Sequence, residues 1–313
     1  MDNRNDITAV VTTFNDSKSI VDFLNNVSKQ SVLPDKMIIV DGGSKDNTVD
    51  VIEKYALTSK FKIEVVSDNK RRNISEGINT GIKLAKTEWI LILGTGNSYN
   101  PEMIEQFITY RKKSKAQVFY SAIIGVNDTT FGYIFNQYFL RGNRIQDLDA
   151  SNHAVLVHKN VFVENGYFWE RFIYAGEDFE FFARLRKNNI ELVYVKEAIS
   201  FWDTPQNWKD YKKKMRVNSI ADWQIEDKSK ILLKCYSQLL LLLMVVILTI
   251  KTPLTLLLIP FIIVVSGIKK KTFNIISIML GLYNRYLMVY FYLKNYNYSK
   301  EEYHFKIDET YDS

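Results

Sequence analysis

The sequence predicts an α/β protein, a mostly parallel sheet covered by helices and followed by an apolar C-terminal module. Three observations carry this. From Ile7 to about Val195, short β-branched runs alternate with amphipathic stretches, the pattern of repeated strand-helix units. Residues 239–250 and 252–268 contain no charged side chain. The whole chain of 313 residues is 47% hydrophobic, which excludes a disordered tail or low-complexity scaffold.

The first strand is read at Ile7–Thr13 and the first helix at 17–29, with Asp16 or Ser17 placed to cap it. A strand at 36–40, a loop at 41–47 and a helix from near Thr48 follow. The strand Lys62–Val66, a helix around 76–86 and a strand at 89–93 complete a nucleotide-binding type of half-domain. Beyond Pro101 the pattern gives a helix at 102–112, a strand at 117–124, an irregular segment to Ala150 and a strand at Ala154–His158. A helix then opens at Glu177 and runs to about Lys187, before a strand at 191–195. No internal repeat is present.

The C-terminal third has a different character. Residues 231–250 have the length of a bilayer crossing, about 20 residues. Residues 252–268 are shorter and carry Pro253 and Pro260, so the turn at Lys251 cannot continue a straight helix. A membrane hairpin is expected. A third apolar stretch, 273–293, has Asn274, Ser277, Gly281 and Asn284 at helical spacing with Arg285 beside them, which suits an interfacial helix or a third span. The domain reading is therefore 1–225 catalytic, 226–268 hairpin, 269–294 interfacial or membrane helix, and 295–313 polar tail. The net charge of +6 concentrates in Lys212-Lys213-Lys214 with Arg216 and in Lys269-Lys270-Lys271, which flank the apolar region. Headgroups explain that placement better than nucleic acid does. Trp202, Trp208 and Trp223 precede it, as aromatics at headgroup level do. The single cysteine, Cys235, cannot form an intramolecular disulfide, and the N-terminus shows no signal peptide. The polar part is expected to face the cytoplasm at the cell (inner) membrane.

Two local patterns point to chemistry. A strand leads into Asp41-Gly42-Gly43-Ser44-Lys45-Asp46-Asn47-Thr48 and then a helix. A carboxylate at the tip of a parallel strand faces the crevice where such sheets bind ligands, and two glycines let a ligand approach the backbone. The same octapeptide also suits a plain Asp-Gly turn with Asp46 or Asn47 capping the helix. Neither a P-loop nor a GxGxxG fingerprint is present. The second pattern is Ala175-Gly176-Glu177-Asp178 opening a helix that continues Phe179 to Arg184. Carboxylates in a first turn serve as caps, and a pair bounded by glycine and aromatics also suits a general base in a partly dry cleft.

In order along the chain, Val10-Val11-Thr12-Thr13-Phe14-Asn15, the Asp41 turn, Asn79-Thr80-Gly81-Ile82 with Ala85, and Gly176-Glu177-Asp178 with the helix after it resemble the family 2 glycosyltransferases. These are inverting enzymes with the glycosyltransferase A fold, and the resemblance covers about residues 7–224. Asn73-Ile74-Ser75-Glu76-Gly77 and Ala198-Ile199-Ser200-Phe201-Trp202 look most like bacterial members that extend polysaccharides on lipid carriers. The resemblance implies a nucleotide-sugar donor of the UDP type, with Thr12 and Phe14 lining its pocket and Asp41 on the base or ribose. It implies Asp178 as the base that deprotonates an acceptor hydroxyl and Glu177 as a group that positions the acceptor, a lipid-linked glycan. It implies a divalent metal, Mg2+ or Mn2+, on an Asp-x-Asp motif after the fourth strand. Here that place reads Gly94-Thr95-Gly96-Asn97, without a carboxylate, and Ile78 stands where relatives often place arginine. Asp68, Asp147, Asp149 and His153 are candidate ligands in its stead. Alternatively Lys70-Arg71-Arg72 compensates the phosphate charge, with Arg71, Arg72 and Thr95 as donor contacts. Arg216 and its neighbouring lysines are candidate contacts for a lipid phosphate. The missing motif also keeps open a catalytically silent relative that serves as a membrane-bound partner.

Overall fold

The computed structural model describes residues 6–140, 150–172, 174–225, 228–251 and 275–296. Eight strands form one sheet: β1 (Ile7–Thr13), β2 (Lys36–Asp41), β3 (Lys62–Val66), β4 (Trp89–Gly94), β5 (Asn97–Tyr99), β6 (Val118–Val126), β7 (Ala154–His158) and β8 (Leu192–Asp203). Their order is β3-β2-β1-β4-β7-β6-β8-β5. The first four are parallel, β7 runs against both β4 and β6, β8 is parallel to β6, and β5 is antiparallel to β8. The sheet is thus the mixed, mainly parallel one that the alternating pattern predicts.

The helices of this unit are α1 (Ile20–Val27), α2 (Thr48–Ala56), α3 (Ile74–Leu84), α4 (Met103–Lys113), α6 (Lys159–Asn165) and α7 (Glu177–Lys187); α5 (Thr130–Phe139) lies outside it. Strands β1 and β4 are buried on both faces, which is why they read as continuous apolar runs. One face packs Val11, Ile39 and Leu91 against Phe23, Leu24 and Phe107. The other packs Val10, Ile38 and Ile92 against Ile78, Ile82 and Phe181. Each such fully buried side chain contributes about 1.5–3 kcal/mol.

A second compact unit holds α5, α8 (Trp208–Ile225), α9 (Lys228–Lys251) and α10 (Ile275–Lys294). The helix α8 therefore groups with the C-terminal helices. Inside this unit Trp223, Ile231, Cys235, Val289 and Tyr292 form a small core, and Trp223 Nε1 donates to the Tyr292 carbonyl at 2.9 Å. Trp223 is thus an interior residue and not the headgroup-level aromatic expected of it. Asn284, from the polar stripe of α10, accepts from Tyr211 Oη at 2.7 Å, so this member of the stripe serves helix packing.

Several elements depart from expectation for physical reasons. The first helix starts at Ile20 because the Asp16 carboxylate turns away from it and accepts from Thr13 Oγ1 and Thr95 Oγ1, at 2.8 and 3.1 Å. Helix α5 was hidden in the irregular segment because its aromatics and Gly132 give no helical period; Thr129 Oγ1 caps it through Gly132 N–H at 3.0 Å. Strand β8 continues past Lys196 and Glu197 because the β6–β8 register shifts between Ser121 and Ala122 and absorbs the break.

The membrane hairpin expected at 226–268 is not found. Among the described residues no helix is long and apolar enough to cross a membrane. Its first arm is α9, whose opening turns carry Lys228, Lys230, Lys234, Ser237 and Gln238. The uninterrupted apolar run left, residues 239–250, rises only about 18 Å as a helix, against about 30 Å of hydrocarbon core. The second arm, 252–268, lies outside the described residues, as do Asn274 and the tail 297–313.

Candidate active site

Strand β1 has β2 on one side and β4 on the other, so the chain reverses its direction of winding there. Crevices that bind ligands in open α/β sheets sit at such a switch point, beyond the carboxyl ends of the strands. A cavity of about 200 Å³ occupies that place. Thr12, Thr13 and Phe14 come from the end of β1 and just beyond it, Val40 and Gly42 from the end of β2 and its turn, Thr95 from just after β4, and Arg72, Asn73, Ile74 and Gly77 from the start of α3; Asp16 completes the wall. Thr12, Phe14, Arg72 and Thr95, four of the residues expected to contact a donor, therefore line one cavity.

Asp41 is 1% exposed and does not line the cavity. Its carboxylate accepts from the backbone N–H groups of Gly43 and Ser44 at 3.1 and 3.0 Å, from Ser44 Oγ at 2.5 Å and from Ser67 Oγ at 3.3 Å. The turn following β2 is thereby folded around its own aspartate, and Gly43, with φ +85°, supplies the left-handed residue it needs. Thr48 N–H donates to Asp46 at 3.1 Å, so the capping alternative for this octapeptide is realised as well.

The basic loop divides its labour. The Arg71 guanidinium lies 3.6 Å from the centre of the Phe14 ring and donates to the Gly42 carbonyl at 3.0 Å. Arg72 forms a two-pronged pair with Asp68, both bonds 2.6 Å. That pairing holds the Asp68 carboxyl down at about 2 and raises Arg72. Helix α3 then opens on a reciprocal capping box: Asn73 Oδ1 accepts from Glu76 N–H at 2.9 Å and Glu76 Oε2 accepts from Asn73 N–H at 2.8 Å. The positive end of its dipole and the Arg72 charge share one wall of the cavity, an arrangement suited to an anion.

At the end of β4 the Gly94–Asn97 turn is pinned by Tyr99. Its hydroxyl accepts from Gly94 N–H at 3.1 Å and lies 3.0 and 2.9 Å from the carbonyls of Gly94 and His153. Burial pushes the Tyr99 phenol well above its ordinary range, so it stays a neutral donor. His153 Nδ1 shares a hydrogen bond with Asn97 Oδ1 at 2.7 Å, and its ring lies 5.0 Å from that of Trp202. Trp202 is thus a strand residue packed on His153.

The neighbouring residue, Asn152, donates through Nδ2 to Glu177 Oε1 at 3.1 Å. Glu177 is buried and Asp178 partly so, in the first turn of α7, which follows Gly176 at φ +101°. Burial, and then the Asp178 charge, push the Glu177 carboxyl well above the ordinary carboxylate range. Asp178 Oδ1 accepts from Phe179 N–H at 2.8 Å.

Among the described residues, those expected to hold a divalent cation do not come together as one site. The Gly94–Asn97 turn has no carboxylate, Asp68 is committed to Arg72 and His153 Nδ1 to Asn97. Asp147 and Asp149 lie outside the described residues. Among the described residues no group of three His, Cys, Asp or Glu could hold a metal by itself, and the one carboxylate lining the cavity, Asp16, accepts from Thr13 and Thr95. Sequence reasoning passed over Asn152 and Tyr99, took Asp16 for a helix cap and saw Asn97 only as part of a turn without a carboxylate. Only Asp16 carried a signal, as a carboxylate three residues beyond the first strand.

A likeness to a solved structure shows the fold. The mannosyltransferase PcManGT of Pyrobaculum calidifontis, determined in complex with GDP-Man and Mn2+, superposes with a TM-score of 0.56 over 71% of this chain and 63% of its own, at 14% identity. The chain thus has the fold of a glycosyltransferase. It belongs to Glycosyl transferase family 2, whose sequence profile matches residues 8–172, more than half of the chain. Curated relatives include the glycosyltransferase GlyG of Streptococcus pneumoniae serotype 4, 26% identical over 36% of this chain and 37% of its own. The poly(ribitol-phosphate) beta-N-acetylglucosaminyltransferase TarS of Staphylococcus aureus strain Mu50 is 26% identical over 38% of this chain and 21% of its own. This chain spans well under half the length of either. The chain therefore carries the domain of this glycosyl transferase family.

Proposed function

We propose that this enzyme transfers a sugar from a nucleoside diphosphate-sugar, of the UDP type, to a hydroxyl of a lipid-linked glycan, with inversion at the anomeric carbon. The observation that carries the reading is the shared strand end. The turn after β4 puts Thr95 into the cavity and, through Gly94, Tyr99 and the 152–153 segment, is tied to the carboxyl pair of α7.

The chemistry follows from those parts. The donor diphosphate lies against Arg72 and the start of α3, which take up the charge of the departing phosphate without a step through metal. Asp178 accepts the proton of the acceptor hydroxyl as its oxygen bonds to the anomeric carbon and the carbon-to-phosphate-oxygen bond breaks. One displacement of this kind inverts the centre. The lipid-linked acceptor and a position at the cytoplasmic face of the cell membrane are supported by α9. It exposes Leu239, Leu240, Leu243, Met244 and Ile247, with Lys228, Lys230 and Lys234 toward its start. A helix of this kind lies on an anionic lipid surface without spanning it.

The test is turnover by the full chain with a panel of UDP- and GDP-sugars and polyprenyl-linked acceptors, with and without Mn2+, the product anomer being read by NMR. Transfer with inversion from one donor class is expected. Retention of configuration, or donor binding that requires Mn2+, would sink the respective part of the proposal.

A further inference from the structure

The two carboxyl groups that open α7 differ in their surroundings. Asp178 is partly exposed, whereas Glu177 is 6% exposed and has one side-chain partner, the Asn152 amide. The Asn152 oxygen Oδ1 is itself buried and has no hydrogen-bond partner among the described residues. These observations fit together only for one form of Glu177. An ionised carboxylate can accept from the amide and has nothing to return; a carboxylic acid offers an O–H as well. An acid and an amide side by side share two hydrogen bonds, amide N–H to acid carbonyl and acid O–H to amide oxygen. The second of these would satisfy the orphaned acceptor.

We infer that Glu177 and Asn152 form a neutral acid–amide pair, in which Glu177 donates its proton to Asn152 Oδ1 and leaves Asp178 as the charged member of the two adjacent carboxyl groups, Glu180 of the same turn being paired with Arg184. The inference deepens the reading of this turn as the acceptor end of a transferase site and rests on it. The charged groups bearing on Glu177 agree. On its own helix there is Asp178, whose charge opposes a second anion. The segment entering β7 presents Asn152 and His153, whose Nδ1 is engaged by Asn97, and the end of β4 presents Gly94 to Asn97, which carry no charge. None of these compensates a buried anion, and none of the groups acting on the Glu177 carboxyl is cationic.

Glu177 is then a positioning residue. Its pair fastens the first turn of α7 to the segment that Tyr99 ties to Gly94, and so fixes Asp178 relative to the strand end that holds the donor. A neutral partner also spares the departing diphosphate a second negative charge.

Infrared difference spectroscopy on the full chain tests this without turnover. A protonated-carboxyl C=O band at neutral pH is expected in the wild type and in Asp178→Asn, absent from Glu177→Gln, and shifted in Asn152→Ala, where the O–H loses its acceptor. Absence of the band in a folded wild type overturns the pair and leaves the transferase reading standing. The kinetic arm compares Glu177→Ala with Glu177→Gln. Glutamine reproduces both hydrogen bonds of the acid, so it should restore most of a kcat loss of about tenfold or more in the alanine variant. Glutamine as poor as alanine, with melting curves showing both folded, means that Glu177 works through its charge and refutes the inference.

Discussion

The two ends of the site are built in opposite ways. At the donor end almost every charge is settled by a near neighbour in sequence: Asp41 by Gly43 and Ser44, Arg72 by Asp68, Asn73 by Glu76. At the carboxyl end the partners are distant: Asn152 reaches Glu177 across 25 positions and Tyr99 reaches His153 across 54. Local wiring shapes each loop of the cradle, and a few longer bonds, Thr95 to Asp16 across 79 positions and Arg71 to Gly42 across 29, join the loops. Long-range wiring makes the reactive turn depend on the sheet being complete, and it leaves one carboxyl out of its ordinary range. Binding is thus preformed by the loops, whereas reactivity is set by the topology.

The comparison can be broken most severely at Asp178. Asp178→Asn should lower turnover by about 10²–10⁴-fold, with donor affinity by calorimetry and the melting midpoint unchanged; full activity would remove it as the base. Asp41→Ala leaves the donors of Ser44 and Ser67 facing an apolar site and should cost about 1–3 kcal/mol in a urea titration, together with donor affinity, because the turn after β2 loses its centre. Tyr99→Phe should cost a similar or smaller amount, about 1–2 kcal/mol, and its distinguishing mark is a fall in kcat with little change in donor affinity.

Two pH measurements sharpen the contrast. The folded state holds the Glu177 proton more tightly than the unfolded chain does. Stability should therefore fall as pH rises above the ordinary carboxylate range of about 4.5 toward the raised folded value. Melting midpoints across pH should show that decline in the wild type and not in Glu177→Gln. Asp68 is the opposite case: its carboxyl is held down at about 2, so the Arg72 pair persists as pH falls below 3.8 and is lost only near the lower value. Asp68 is exposed whereas the Arg72 side chain is largely buried, so Asp68→Asn should lower the melting midpoint only slightly while altering the salt dependence of donor binding.

The same division explains what could be read from sequence. The strands Ile7–Thr13 and Ala154–His158 are legible because buried strands inside the sheet write continuous apolar runs, and the edge strand Lys62–Val66 because charged and β-branched residues alternate in it. The Asp41 turn and α7 are legible because their chemistry is contiguous. Asn152 and Tyr99 were not, since nothing in their neighbourhoods shows that β4, β5 and β7 bring them together. Asp16 was misread as a helix cap because its partners Thr13 and Thr95 are a turn and a strand away. The first arm of the expected hairpin was overread because apolar composition was counted over residues 231–250 without weighing Lys234, Ser237 and Gln238.

The closeness of α3 to β1 has an engineering consequence. A Cβ at Gly77 would stand 2.6 Å from Thr12 Cγ2, and one at Gly81 would collide with Val10. The rear of the cavity is therefore bare helix backbone, already shaved to its minimum. Substitution at Gly77 can only shrink the space available to a donor or lift the helix from the sheet. An effort to make this enzyme accept a bulkier donor has no room to gain there, and would have to carve it from Ile74 or Asn73 at the rim instead.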